Sequence, residues 1–305
     1  MSDGSSAPLS GVELESVSPE TVDTAELRAA FSAGTAVVRQ RGVRVAATLA
    51  GQDADAVRPF VDDLIGLLDD ESLPVARYAA TALVPVSEEY PGDFEGSLYP
   101  VVTLSESDLG GIRGLGASIL GNVVVERPAD CRPYLDQLVA ILADAEGTLS
   151  QSDLQFEFSD EQSIDRGTRE ALAKQNEEEA KMRIAAMGIL ANVVVAIAEA
   201  DPESVRDDLD EVAVLLEHDD PTVAGAGLDI FGEVAQVDPG AVSEYVDAVA
   251  DCLGHVETSV RAKAIRTLGF AGDDSVVARL REVADADDDE DVRDLAAETA
   301  DFLAE

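Results

Sequence analysis

Apolar positions recur along the chain with the spacing of amphipathic helices, about 3.6 residues per turn. In one stretch they stand at positions 57, 60, 61, 64, 65, 67 and 68, and a later stretch repeats the spacing with apolar or aromatic residues at 131, 134, 135, 138, 139, 141 and 142. Turns rich in charge and proline, such as Asp219-Asp220-Pro221, separate these stretches from a second apolar stretch. The pattern therefore predicts helices arranged in pairs.

The second helix of each predicted pair carries a repeated motif. An aliphatic start residue, often followed by arginine, has a small residue four positions later and usually an apolar or small residue eight positions later. Seven copies start at Val38, Val75, Ile112, Met182, Val223, Val260 and Val292. The numbers of successive starts differ by 37, 37, 70, 41, 37 and 32. The interval of 70 equals one repeat of 37 plus an insertion of 33, and 41 is about one helical turn longer than 37.

Paired helices of this period, with the Asp201-Pro202 and Asp238-Pro239 turns and second helices that begin as Val260-Arg261 and Val292-Arg293, resemble HEAT repeats, including the shorter HEAT-like repeats of the bilin-lyase (PBS-lyase) type. The resemblance covers residues from about 23 to 304. It implies an all-α fold, an α-solenoid of about seven helical hairpins in which each hairpin packs on its neighbours.

Two segments break the pattern. Residues 1–20 are nonperiodic and rich in Ser, Pro and Glu, which predicts a disordered acidic tail before a solenoid over residues 21–305. The acidic insertion at 146–178 falls within the fourth repeat, and its second half can extend the following helix backwards. The first half is either a solvated excursion or a segment in which Phe156 and Phe158 anchor a partner or fold over the array's own groove.

The charge is strongly acidic, with 21 Lys and Arg against 63 Asp and Glu, a formal net charge of −42. An acidic excess spread along the chain, with scarce lysine, resembles the proteins of halophilic archaea, in which high salt screens self-repulsion. It disfavours nucleic acid and anionic membranes as partners, because both bind clustered Lys and Arg. The longest uncharged apolar stretch, 184–198, is shorter than the roughly 20 residues of a membrane span. We expect a soluble cytoplasmic protein.

Residues with potential chemistry are few. His218 and His255 are separated by one repeat period, which places them in equivalent turns and predicts that they do not share a metal ion. Cys131 and Cys252 stand at core positions of their repeats and are interpreted as small apolar residues. We predict no catalytic, cofactor-binding or metal-binding residue, and hence no enzyme.

The arginine that follows the motif start recurs in five repeats, at Arg39, Arg113, Arg183, Arg261 and Arg293. It is predicted to bridge to Asp or to carbonyl oxygens at the turns of neighbouring repeats. The same prediction holds for Arg58, Arg132 and Arg206, which recur at equal intervals on first helices.

Candidate partner-binding residues form two further groups. Arg39, Arg41 and Arg44 are the only charged residues between Thr35 and Gln52. They either pair with acidic neighbours within the array or bind an acidic helix or a phosphate. Asn122 and Asn192 lie in near-identical apolar segments and form either a hydrogen bond between repeats or a contact with a bound extended backbone.

The resemblance implies a non-enzymatic scaffold or adaptor that binds a protein along its groove, with a signalling or motility complex as one version of that role. A nucleic-acid-binding HEAT array is an alternative, and a bilin-lyase-like enzyme is a third. No cofactor or small-molecule substrate is predicted.

Overall fold

The computed structural model describes residues 8–144 and 166–305. Over these ranges the chain is all-α and contains no β-strand. Contacts between residues divide it into two compact units, Met1–Cys131 and Arg132–Glu305. Each unit is a stack of helical hairpins, so the predicted class, an α-solenoid, is confirmed.

In the first unit, each hairpin joins a first helix to a longer second helix, and the second helices α2, α4 and α6 stack in order. The α-helices of this unit are α1 Thr24–Phe31, α2 Ala36–Ala50, α3 Val61–Ile65, α4 Leu73–Glu89, α5 Tyr99–Ser105, α6 Gly110–Glu126 and α7 Pro128–Cys131. Its 3₁₀ helices are Leu14–Ser16, Ala54–Ala56, Arg58–Phe60 and Pro91–Phe94.

The second unit repeats this plan, and its second helices α9, α11, α13 and α15 stack in order. Its α-helices are α8 Leu135–Ala143, α9 Arg166–Ala200, α10 Leu209–Ala213, α11 Pro221–Val237, α12 Val246–Asp251, α13 Thr258–Ala271, α14 Val277–Ala286 and α15 Glu290–Leu303. Its 3₁₀ helices are Arg132–Tyr134, Pro202–Asp208, Val214–Glu217, Pro239–Tyr245, Cys252–Gly254 and Asp274–Val276.

The repeated motif supplies the core of both units. In the second repeat Val75, Ala79 and Leu83 are all fully buried, and the equivalent start, small and apolar positions of most other repeats are buried as well. Met182 is an exception, with 41% of its surface exposed. The small residue is required because the first helix crosses there: a Cβ atom on Gly116 would lie 2.4 Å from Ser105 Oγ.

Recurring arginines hold the turn that precedes their own helix, and Arg39 and Arg261 also bridge to the next repeat, which is the contact that the sequence predicts. Arg39, Arg113, Arg261 and Arg293 each donate to the carbonyl oxygen of the residue six positions earlier. Arg39 and Arg261 also form ion pairs with Asp70 and Asp287 in the turn of the next repeat. On the first helices, Arg58 pairs with Asp93, Arg132 with Asp208 and Arg206 with Asp238.

Residues 8–17, here named the N-terminal strap, are folded, in contrast to the disordered tail predicted for residues 1–20. Leu9 is fully buried, and its backbone N–H donates to Glu26 Oε1 at 2.5 Å. Arg41 donates to the carbonyl of Val12 at 2.8 Å, and Gln52 donates to the carbonyl of Val17 at 2.9 Å. Side chains of α1, of α2 and of the turn that follows α2 hold the strap through its backbone, which is why it is folded without any periodic pattern.

Helix α9 is longer than the other second helices because it begins at Arg166, in agreement with the predicted backward extension. The rest of the insertion, including Phe156 and Phe158, lies outside the described residues. Within those residues, one segment, Ala171–Ala200, is long and apolar enough by length and composition to cross a membrane. The same helix packs on α11 with Leu190, Val193 and Ile197 buried, as the core helix of a folded array does.

Candidate partner-binding surface

The exposed face of the second helices has a repeating register. Ten positions after each motif start, the side chain is exposed or half-buried. The residues at this tenth position are Thr48, Pro85, Asn122, Asn192, Glu233, Phe270 and Phe302. The predicted Asn122 and Asn192 therefore share their position with two exposed phenylalanines that the sequence analysis did not single out.

At two junctions between neighbouring second helices, the sixth residue after one motif start contacts the third residue after the next. Asp229 on α11 pairs with Lys263 on α13 at 2.5 Å. At the corresponding positions in the first unit, the guanidinium of Arg44 lies over the ring of Tyr78, 5.7 Å from its centroid. The corresponding pair on α13 and α15 is Arg266 and Leu295, and leucine offers no acceptor to a guanidinium.

An apolar cleft of about 630 Å³ opens on the exposed face of α11, α13 and α15. Phe270 and Phe302 line it with 41% and 67% of their surfaces exposed. Pro239 and Leu295 contribute further apolar surface, and Gln236, Glu298 and Thr299 contribute polar groups. A volume of this size lies within the range of ligand-binding clefts.

Arg266 connects this cleft to a second, smaller one of about 190 Å³ between α11 and α13. Its side chain is exposed and makes no ion pair with any described residue, whereas the neighbouring Lys263 is engaged by Asp229. The surface thus combines two exposed aromatic rings with an available guanidinium.

The three arginines predicted to bind a partner have different roles. Arg39 is held by Asp70 and by the carbonyl of Ala33, and Arg41 holds the N-terminal strap. Arg44 is exposed and contacts Tyr78 through its guanidinium. The structure therefore leaves only Arg44 of the three directed at solvent.

The two predicted asparagines also differ. Asn122 donates from Nδ2 to Ser87 Oγ at 2.9 Å and to the carbonyl of Val84 at 3.3 Å, both on α4. This is the hydrogen bond between repeats that was one of the two sequence-based interpretations. Asn192 on α9 is exposed.

The histidines and cysteines occupy structural positions. His218 and His255 each accept a hydrogen bond at Nδ1 from the backbone N–H two residues later, at 3.0 Å. Cys131 and Cys252 are buried, and burial raises the pKa of their thiols to about 12 and about 11, which keeps them protonated and unreactive near neutral pH. Among the described residues, no cluster of three or more His, Cys, Asp or Glu side chains has the arrangement of a metal site.

The comparisons with known proteins concern the fold. Residues 209–300 match the family described as HEAT repeats. The archaeal HEAT-like repeats protein from Thermococcus onnurineus NA1 is similar in structure, with a TM-score of 0.53 and 13% sequence identity over 93% of this chain and 97% of that chain. This is a HEAT-like repeat fold.

A designed armadillo repeat protein is also similar, with a TM-score of 0.51 and 14% identity over 82% of this chain and all of that one. HEAT and armadillo repeats are both stacks of helical units that expose a long surface made of aligned second helices. None of the curated proteins is significantly similar in sequence to this chain.

Proposed function

We propose that this chain is a non-enzymatic scaffold that binds a segment of a protein partner on the exposed face of its second helices, in the cleft formed by α11, α13 and α15. The HEAT-like fold supports this role, because arrays of this kind are typical protein-interaction scaffolds. One specific form of the proposal is an adaptor role in a signalling or motility complex.

The observation that carries the proposal is the exposure of Phe270 and Phe302. Four other phenylalanines, Phe31, Phe60, Phe94 and Phe231, are buried in the core. Aromatic residues are only 4% of this sequence, so two of them exposed at one cleft of an acidic surface mark a binding site.

The alternative of nucleic-acid binding finds less support on the described surface. Contacts with carboxylates engage Arg28, Arg58, Arg127 and Arg279, in addition to Arg39 and Arg261. Phosphate binding would need these cations to be free and clustered. Arg44 and Asn192 are exposed and remain candidate contacts for a partner, and Phe156 and Phe158 stay candidates within the insertion. Arg39, Arg41 and Asn122 are engaged within the array and are removed from the proposed set.

The test compares the intact chain with a Phe270→Ala/Phe302→Ala variant as bait in a molar-KCl extract of the source cells. Val256→Ala is the matched control, since Val256 is 86% exposed and precedes the opposite end of α13. The proposal predicts a partner that the intact chain and the control retain equally, that the double variant loses, and that binds the purified chain directly. Equal retention by the double variant would remove the cleft from the proposal.

A variant lacking residues 148–164 tests the insertion in the same assay. Loss of the partner with this variant would assign binding to the insertion and its phenylalanines, whereas an unchanged partner would exclude it.

A further inference from the structure

We infer that the cleft on α11, α13 and α15 recognises a partner segment in which an apolar side chain stands next to a carboxylate, and that Arg266 binds the carboxylate. The inference rests on the proposed function and specifies the chemistry of the ligand that the scaffold takes.

The first argument is the register of the second helices. The sixth position of one helix is engaged by the third position of the next, as Asp229 is by Lys263. Leu295 occupies that third position opposite Arg266, so the guanidinium has no internal partner there. A planar guanidinium forms two parallel hydrogen bonds with a carboxylate, which makes a carboxylate the best external partner.

The second argument is the position of an unpaired cation beside the aromatic rings of the cleft. Acidic residues outnumber Lys and Arg by 63 to 21, and arginines of both units are held by Asp or Glu. Arg266 is exposed yet makes no ion pair within the described ranges, although Glu298 lines the same cleft. Other exposed arginines, such as Arg281, also lack an ion pair within the described ranges, but Arg266 is the one that lines the cleft beside Phe270 and Phe302.

The third argument is the proximity of Arg266 to the apolar part of the cleft. Arg266 and Phe270 stand at i and i+4 on α13, so both side chains lie on the same face of the helix. Phe302 stands at the position equivalent to Phe270 on the next helix, and packed helix axes are about 8–10 Å apart. An apolar side chain between the two rings therefore brings the neighbouring residue of the same segment to Arg266.

The charges around the cleft also limit what can bind. Glu233 and Glu298 line the two connected clefts, and they would repel additional carboxylates of a partner. The surface should therefore accept one carboxylate at Arg266 and discriminate against polyacidic segments.

The test uses peptide fluorescence, because the chain contains no tryptophan. Three acetylated and amidated peptides carry a central Trp followed by Glu, Gln or Lys, with Gly and Ser elsewhere, and are titrated with the full chain in molar KCl. We expect the Glu peptide to bind about tenfold more tightly than the Gln peptide, a ratio typical of a charged hydrogen bond, and the Lys peptide to bind most weakly.

The Arg266→Gln variant should bind the Glu peptide with only the affinity that the intact chain has for the Gln peptide. Arg281→Gln is the matched control, because Arg281 on α14 is exposed, outside the cleft and without an ion pair among the described residues, and this variant should keep the tenfold preference. Circular dichroism of both variants checks that they fold.

Equal affinities for the three peptides, or a Glu preference that survives Arg266→Gln, would overturn the inference. If the peptides bind without charge preference but the Phe270→Ala/Phe302→Ala variant loses them, the docking cleft stands and only the role of Arg266 is wrong. Binding of none of the three peptides also overturns the inference, while the partner-retention experiment still decides the proposed function.

Discussion

Arg39 donates hydrogen bonds from Nε and Nη2 to the two carboxylate oxygens of Asp70, at 2.5 and 2.9 Å. The pair joins a second helix to the turn of the next repeat, and only 19% of the arginine and 6% of the aspartate side chain are exposed. The Arg39 guanidinium lowers the pKa of Asp70, outweighing the opposite effect of burial. Arg261 and Asp287 repeat the arrangement in the second unit.

We predict that Asp70→Asn lowers the melting temperature by several degrees at pH 7. The ion pair stabilises the folded chain above the ordinary carboxyl pKa of about 4, because the pKa of Asp70 is lower in the folded than in the unfolded state. This contribution is lost as the pH falls through the lower folded value. Thermal melts in high salt from pH 7 downwards should therefore show a difference from the intact chain that shrinks as the pH falls below about 4 and disappears only below the folded pKa of Asp70.

Asp69→Asn is the control for this change, since Asp69 is adjacent and exposed, and it should leave the melting temperature nearly unchanged. A difference between Asp70→Asn and the intact chain that persists unchanged below pH 4 would contradict the electrostatic explanation.

Two glycines of α6 should respond in opposite ways to alanine. Gly114→Ala should stabilise the fold by up to about 1 kcal/mol, because alanine favours helix and nothing lies within 4 Å of the new Cβ atom. Gly116→Ala should destabilise it, because the Cβ atom would lie 2.4 Å from Ser105 Oγ and 3.0 Å from the carbonyl oxygen of Val101. Chemical denaturation of the two variants measures both signs, and stabilisation by Gly116→Ala would show that α5 and α6 can separate at no cost.

Leu9 anchors the N-terminal strap, and its removal should weaken the first unit. It is fully buried and has a positive φ of 61°, an uncommon conformation for leucine that its surroundings hold in place. We predict that Leu9→Ala lowers the free energy of unfolding by about 2–5 kcal/mol, as for other buried leucines. Leu14 is a half-buried residue of the strap, and Leu14→Ala should lower the free energy of unfolding by less. If the two substitutions lowered it equally, Leu9 would not be the specific anchor of the strap.

The net charge of −42 should make folding depend on salt. At about 1 M salt the Debye length falls to about 3 Å, which screens most repulsion between surface carboxylates. We expect helical circular dichroism at 222 nm to persist in molar KCl and to decrease on dialysis into dilute buffer. Full helicity and unchanged melting in dilute buffer would argue against adaptation to high salt.

The helical repeat could be predicted because each second helix must bury the same positions. The start, fourth and eighth residues form one stripe, and the size limit at Gly116 is visible in sequence as a small residue in every copy. The bridging role of Arg39 and Arg261 could also be predicted, because each follows the motif start directly. A cation beside the buried stripe needs an acceptor at the nearest turn.

The cleft was harder to predict, because it depends on which exposed positions of neighbouring helices meet. Phe270 and Phe302 share the tenth position with Asn122 and Asn192, and this common position is the signal in the sequence that could have identified them. Arg266 has no internal partner because Leu295, at the opposing position of the next helix, offers no hydrogen-bond acceptor. This is seen only once the structure shows that the sixth position of one second helix meets the third position of the next.

The strap could not be predicted from periodicity at all. Arg41 and Gln52 hold it through backbone carbonyls, and a carbonyl is present at every residue whatever its side chain. The sequence of residues 8–17 therefore carries no pattern that marks it as folded.

The tenth residue of each second helix stands outside the stripe that holds the hairpins together. A substitution at this position changes the exposed surface and leaves the buried stripe intact, although Asn122 also holds α6 to α4. From Thr48 to Phe302 the seven residues differ in size, charge and polarity. One array of similar hairpins therefore presents a different surface chemistry at successive repeats.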